Sequence, residues 1–166
     1  MIKIIDNFIE PYHFSALRNA VLNMPWYFGP IGILNDPEET ILCDTLDNYH
    51  FIHLFYKDYE VVSEKFNLIT PIIDKLKIRS LIKIKSNLTT RTSKIVHHTF
   101  HRDVPYDDSF TSVYYINTND GYTMFEDGTK VESVENRMVI FPSHMIHTGT
   151  TCTNDKVRIV INFNYF

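Results

Sequence analysis

The spacing of hydrophobic positions changes period part-way along this chain, and the change divides it in two. In the first part apolar residues recur at helical spacing. Pro11 opens a run with Phe14, Leu17 and Val21 on one face and Arg18 off it, which predicts a helix that starts at the proline and stops by Pro25. Trp26 and Tyr27 follow as core anchors for that helix. Residues 29–49 lose periodicity and fill with Gly, Pro, Asn, Asp and Glu, predicting a long loop that could close over a substrate. Residues 51–76 carry a helical tendency, with Thr70 as N-cap, Pro71 at the first helical position, and Ile72, Ile73 and Leu76 toward the core.

Beyond Arg79 the period becomes two. Ile82 and Ile84 alternate with Lys83 and Lys85, the pattern of a half-buried strand with one solvated face. Further strands are predicted over 94–100, 111–117, 122–126, 130–135, 137–141 and 157–166, with another at 1–5. Turn signals such as Asn119-Asp120-Gly121, Glu126-Asp127-Gly128 and Thr153-Asn154-Asp155 separate them. Helices followed by short strands predict an α+β fold in one domain, 1–166. Residues 1–78 would be mainly helical support and loop, and 79–166 the core of a sheet sandwich or barrel, whose mouth suits one small ligand.

Composition narrows the class. With 44% hydrophobic and 14% aromatic residues the chain is globular. A net charge of −4 without a basic run gives no signal for nucleic-acid binding; the charges from Lys75 to Lys85 read as a solvated strand face. Cys43 and Cys152 have no metal-binding spacing and read as free thiols of a reducing compartment. Asp6 and Glu10 interrupt the N-terminus, so it does not read as a signal peptide, and no stretch approaches the roughly 20 apolar residues of a membrane span. The expectation is a soluble, cytoplasmic protein whose oligomeric state the sequence leaves open.

The candidate chemistry sits at His101-Arg102-Asp103. In an extended segment residues two apart share a face, so His101 and Asp103 can offer a nitrogen and an oxygen to one point. A histidine from a neighbouring strand would complete a two-histidine, one-carboxylate set, which suits non-haem Fe(II) and leaves positions open. Alone, His-x-Asp is weak, with roughly half a match due by chance in a chain of this composition. Its place at the end of a strand pattern and before a loop strengthens it. His147 and His144 both compete as third ligand; Thr148-Gly149 favours His147 by giving the backbone freedom beside it. His97 and His98 alternate, His97 on the face of His101 and His98 on the opposite one, while His50 and His53 read as structural. On the last strand Arg158, Val160, Asn162 and Asn164 share one face and Ile159, Ile161, Phe163 and Tyr165 the other. An arginine and two asparagines lining an interior would be costly without a polar ligand, and a dicarboxylate held by Arg158 would satisfy them.

The combination His101-Arg102-Asp103, Tyr114-Tyr115-Ile116-Asn117, Phe141-Pro142, His147-Thr148-Gly149 and Arg158-Ile159-Val160-Ile161 resembles the prolyl 4-hydroxylase-like branch of the Fe(II)/2-oxoglutarate oxygenases, in particular the compact versions of bacteria and their phages. Ile4-Ile5-Asp6-Asn7-Phe8 followed by a helix also suits that family. Family members often carry a Gly-Gly pair after the tyrosine strand, where this chain has Asn119-Asp120-Gly121-Tyr122-Thr123. The resemblance implies a double-stranded β-helix, a jelly-roll or cupin-like barrel, with N-terminal helices packed on its major sheet. It implies iron on His101, Asp103 and His147, and 2-oxoglutarate held by Arg158 and Tyr115 with Asn162 beside it. It also implies O2 as oxidant and ascorbate as an accessory reductant. The reaction expected is hydroxylation of an unactivated C–H bond, with a prolyl or other residue of a peptide or protein favoured over a small molecule, and release of succinate and CO2.

Overall fold

The computed structural model describes residues 1–30 and 49–166. Its centre is β11 (Val157–Tyr165), a run of β-branched and aromatic residues interrupted by polar ones. It pairs antiparallel with β5 (Leu81–Thr90) on one side and β6 (Phe110–Tyr115) on the other. Beyond β6 come β9 (Arg137–Pro142) and then β1 (Lys3–Ile5); beyond β5 come β3 (Tyr49–Lys57) and β2 (Tyr27–Pro30), with the short β4 (Glu60–Val61) also on β3. A second, smaller sheet has the order β10 (His147–Gly149), β7 (Tyr122–Phe125), β8 (Lys130–Glu132).

Alternation on β11 separates two cores. Ile159, Ile161, Phe163 and Tyr165 face outward and pack with Phe8, Ile9, Tyr114 and Ile116 against α1 (Pro11–Asn23) and α2 (Thr70–Leu76). The inward row meets the smaller sheet, where Val113, Tyr115, Phe125, Val131, Val139, Phe141 and Val160 form a second apolar cluster. That cluster fills one end of the space between the sheets. At the other end the inward row turns polar. This is the α+β sandwich that the pattern predicts, with the jelly-roll-like form and the helices on the major sheet that the resemblance implies.

Helix α1 runs from Pro11 to Asn23 with Leu17 and Val21 buried, as its periodicity requires, and ends before Pro25. In α2, Thr70 is the first helical residue rather than a side-chain cap, and Pro71 follows at a position whose N–H is free anyway. Three expectations need correction, the first being Tyr27, expected as a core anchor but exposed on the edge strand β2. The helical tendency over 51–76 holds only from Phe66 onward, because Tyr49–Lys57 is the strand β3, whose aromatic and β-branched residues pair along β5. Residues 94–100 are not a strand; Val96, His98 and His101 touch the smaller sheet only through scattered backbone bonds and the bridges His97–Thr150 and His101–His147. The short strand β10 was not signalled by the sequence at all. The loop read over 29–49 falls mostly on 31–48, outside the described residues, and Cys43 with it; Cys152 is a buried free thiol.

Asn136 ties the N-terminal segment to this framework. It sits at φ 58°, a left-handed conformation that asparagine tolerates. Its side chain accepts from the Ile9 N–H at 3.0 Å and the Tyr114 hydroxyl at 2.7 Å, and donates to the Ile9 carbonyl at 2.8 Å. Replacing it with alanine strands three buried polar groups. Asn136→Ala is therefore expected to lose about 3 kcal/mol or more of stability in urea unfolding followed by circular dichroism, at unchanged slope.

Candidate metal centre

His101, Asp103 and His147 converge at the polar end of the interior, with their ligand atoms within 4.8 Å of one another. The first two come from the loop before β6, and the third from the start of β10. His101 and His147 are joined through the backbone: the His101 N–H donates to the His147 carbonyl at 2.9 Å, and the His147 N–H to the His101 carbonyl at 3.0 Å. From that shared pair the two rings turn toward Asp103. Its Oδ1 lies 3.6 Å from His101 Nε2 and its Oδ2 3.9 Å from His147 Nε2. His144, the competing ligand three residues earlier, is exposed and outside the cluster.

Hydrogen bonds set which nitrogen each ring presents. His101 Nδ1 lies 2.9 Å from the Thr99 carbonyl, and His147 Nδ1 3.2 Å from the Met145 carbonyl. A carbonyl only accepts, so both Nδ1 atoms carry a proton and both Nε2 atoms face the carboxylate, that of His147 as a lone pair and that of His101 as an N–H until it loses its proton. Asp103 is held in turn by two donors from β11, Asn162 Nδ2 at 3.2 Å and Asn164 Nδ2 at 3.3 Å. Asn162 thus supports the carboxylate directly. The side chains of Asp103 and His147 are nearly inaccessible, at 7% and 4%, whereas that of His101 is 44% exposed, so the cluster opens to solvent on the His101 side.

Charge states follow from these contacts. Burial opposes the Asp103 charge, but the contact with His101 and the neighbouring His147 outweigh it and hold the carboxyl far below the usual range. Burial pulls against protonation of His101 too, yet Asp103 lifts it above an ordinary histidine. For His147 burial wins, and its pKa is lowered. Two neutral-capable imidazoles and one ionised carboxylate, all on one side of a point, form a set for a divalent transition metal with open positions. Among the described residues no cysteine or further carboxylate or histidine joins it, as a closed structural zinc site would require.

Deeper in the interior lies Arg158, 4% exposed. Its Nε donates to Ser133 Oγ at 2.8 Å and its Nη2 to Thr123 Oγ1 at 3.2 Å, and its Cζ stands 5.6 Å from the Tyr115 ring centre. The Tyr115 hydroxyl donates to the same Thr123 oxygen at 2.8 Å. No carboxylate among the described residues pairs with this guanidinium. Gly121 makes its approach feasible. A Cβ there would stand 2.6 Å from Arg158 Cδ and 2.6 Å from the Thr151 carbonyl oxygen, so one glycine in this stretch is a steric requirement.

The sequence reading misplaced two residues. His98 does not face away from the site: it is 8% exposed, it feels the charges of Arg158 and His101, and neither ring nitrogen has a hydrogen-bond partner among the described residues. Burial, then the charges of Arg158 and His101, lower its pKa to about 4, so it is neutral at physiological pH. His50, read as structural, is also turned inward, its pKa lowered to about 3 by burial and then by Lys85, His98 and His101. His53 is structural as expected, bonded to the Pro25 carbonyl and Ser63. A residue register for β3 and the 94–100 loop would have been needed to foresee the two inward histidines.

No protein-family model matches the sequence, and no curated protein matches it. Solved structures do match. A prolyl hydroxylase from Trichoplax adhaerens, solved with a peptide fragment of the hypoxia-inducible factor oxygen degradation domain, superposes with a TM-score of 0.71 at 16% identity, over 99% of this chain and 83% of that one. A prolyl-4-hydroxylase from Pseudomonas putida gives 0.60 at 15% identity, over 99% and 91%. HygX from Streptomyces hygroscopicus, with nickel and 2-oxoglutarate bound, gives 0.61 at 10% identity, over 99% and 82%. The chain has the fold of the 2-oxoglutarate–iron oxygenases. Within that oxygenase fold the described helices include none long and apolar enough to cross a membrane.

Metal uptake by this cluster has a proton signature. Asp103 is already ionised and His147 already neutral near pH 7, whereas His101 keeps its proton until the pH passes its raised pKa. Binding of Mn(II) should therefore release protons on the acidic side of the His101 pKa and progressively fewer as the pH rises through it, read by calorimetry in buffers of different ionisation enthalpy. Asn162→Ala and Asn164→Ala, which free Asp103 to rotate, should each weaken Mn(II) binding about 10- to 100-fold in the same titration.

Proposed function

We propose that this protein is an Fe(II)- and 2-oxoglutarate-dependent dioxygenase that hydroxylates an unactivated C–H bond. The observation that carries the reading is one interior holding two complementary features: a one-sided His101–Asp103–His147 cluster and a buried arginine without a carboxylate partner among the described residues. The residues fit the absent groups. Two histidines and an aspartate suit Fe(II) and leave positions free for a chelating co-substrate and oxygen. Arg158 suits the distal carboxylate of 2-oxoglutarate, with Tyr115 beside it, and the His98 nitrogens, without partners among the described residues, add an unmet polar demand in the same interior.

When bound, iron and 2-oxoglutarate would activate O2, the oxidant, one of whose oxygen atoms would enter succinate as CO2 leaves and the other the C–H bond. The chain's own part is positioning and exclusion of water. Asn162 and Asn164 fix the carboxylate plane of Asp103; the Thr99 and Met145 carbonyls fix the two imidazoles; Thr123 and Ser133 aim Arg158. The apolar cluster of Val113, Phe125, Phe141 and Val160 keeps water from the closed end of the interior. For the substrate we favour a prolyl or other residue of a peptide, which the fold shared with two prolyl hydroxylases supports.

Anaerobic addition of 2-oxoglutarate to the Fe(II)-loaded protein should produce a weak visible metal-to-ligand charge-transfer band. Arg158→Ala should need about 100-fold more co-substrate to reach it, the loss of a buried charge-assisted pair. Iron binding without any band would sink this reading in favour of a non-oxygenase metal enzyme, and no iron binding would leave an interaction domain. Gly121→Ala, which pushes on Arg158 and the Thr151 carbonyl, should raise the half-saturating 2-oxoglutarate concentration about tenfold in the same titration.

A further inference from the structure

Strand β5 brings two lysines into the same interior. Antiparallel partners directly opposite each other project from one face, and β5 pairs Lys85 with Asn162 and Lys83 with Asn164. Those asparagines are the two that hold Asp103, so Lys83 and Lys85 lie on the metal-facing side of the sheet, not on a solvated outer one. Both are half-buried, and among the described residues neither stands within ion-pair distance of a carboxylate. Asp103 feels Lys83 and is felt by Lys85. Burial nevertheless pulls the Lys85 amine below the ordinary lysine range, as expected of an ammonium without a counter-ion in contact.

The charges already assigned do not account for this pair. An Fe(II) ion and a 2-oxoglutarate dianion cancel each other, and so do Asp103 and Arg158. Among the described residues, a loaded site is neutral before the lysines are counted. Two further cations facing into a partly enclosed mouth are costly unless an anion joins them. The histidines there, His50 and His98, have lowered pKa values and are neutral, so they supply no compensating charge in either direction. On the strand beyond, Leu54 pairs with Lys85 and Ile52 with Asn87, giving the lysines an apolar flank.

We infer that the molecule hydroxylated at this site carries an anionic group, a carboxylate or a phosphate, which Lys85 and Lys83 hold beside the metal. The inference rests on the iron and 2-oxoglutarate reading above and specifies its substrate class. An acidic group placed on β5 would leave the bond to be oxidised on the Asp103 side of the mouth, with Arg158 kept for the co-substrate.

The test uses Mn(II)-loaded protein saturated with 2-oxoglutarate, so that Arg158 is covered, and reads paramagnetic relaxation of inorganic phosphate by 31P and of labelled acetate by 13C. At least one of the two anions should show saturable relaxation that excess 2-oxoglutarate does not remove, and which one does so distinguishes a phosphoryl from a carboxylate substrate. In the Lys83→Met/Lys85→Met double variant its affinity should fall about tenfold or more, while Lys94→Met, an exposed lysine elsewhere, should leave it unchanged. Relaxation of neither anion, relaxation that survives in the double variant, or relaxation abolished by saturating 2-oxoglutarate would overturn the inference. Uptake of Mn(II) and 2-oxoglutarate is read separately by the electron spin resonance of the ion. If that uptake fails, the oxygenase reading falls by itself, and calorimetric titration of phosphate and acetate into the metal-free protein against the double variant still decides the lysine pair.

Discussion

The structure depends on one strand being buried on both faces. From Arg158 to Tyr165 every residue of β11 is buried, flanked by strands on both sides, by helices on its outer face and by the smaller sheet on its inner one. The outer face meets this constraint with hydrocarbon: Ile159, Ile161 and Phe163 are completely covered. The inner face does not. It places a guanidinium and two amides where water cannot reach them, and each needs a partner of fixed geometry. Asp103 answers the amides and Thr123 and Ser133 answer part of the arginine. What stays unanswered among the described residues, the Arg158 charge and the carbonyl ends of Asn162 and Asn164, marks where the interior expects something from outside.

The two ends of the interior divide the work. At the closed end, Tyr115, Phe125, Phe141 and their neighbours are packed as an ordinary core, and the T-shaped contact of Phe125 with Phe141 at 4.8 Å is typical of one. Phe141 also stands 4.8 Å from the His147 ring, so the apolar filling carries one imidazole on its edge and fixes its plane. At the open end, polar side chains of β5 and β11 project side by side from the inner face of the major sheet. The same register that builds the sheet therefore decides which side chains meet the metal cluster and which meet the packed wall.

Much of this was legible in the sequence because a period of two survives translation into a strand. The alternation Arg158-Ile159-Val160-Ile161-Asn162-Phe163-Asn164-Tyr165 gives both faces of β11, and His101-Arg102-Asp103 gives two members of the cluster without knowledge of any contact. What was not legible came from partners. Lys83 and Lys85 alternate with isoleucines as a solvated face would, and only pairing with β11 shows that the face is internal. Strand alternation over 94–100 predicts the wrong side for His98, because bonds to the smaller sheet hold this segment in an irregular course. Residues 49–57 carry aromatics at a spacing that suits either helix or strand, and pairing with β5 settles the matter.

The reciprocal backbone bond between His101 and His147 bears on how the centre comes to exist. Two donors that lie 46 positions apart in the chain (101 to 147) are clasped by main-chain hydrogen bonds that owe nothing to an ion. The ordering entropy of bringing them together is spent when the barrel closes and does not fall on the arriving ion. Such a cluster is a rigid template, unlike a zinc finger, whose ligands are gathered by the ion that folds them. Selection among divalent ions then rests on donor chemistry and supply, with little left for the stability of the surrounding chain to decide.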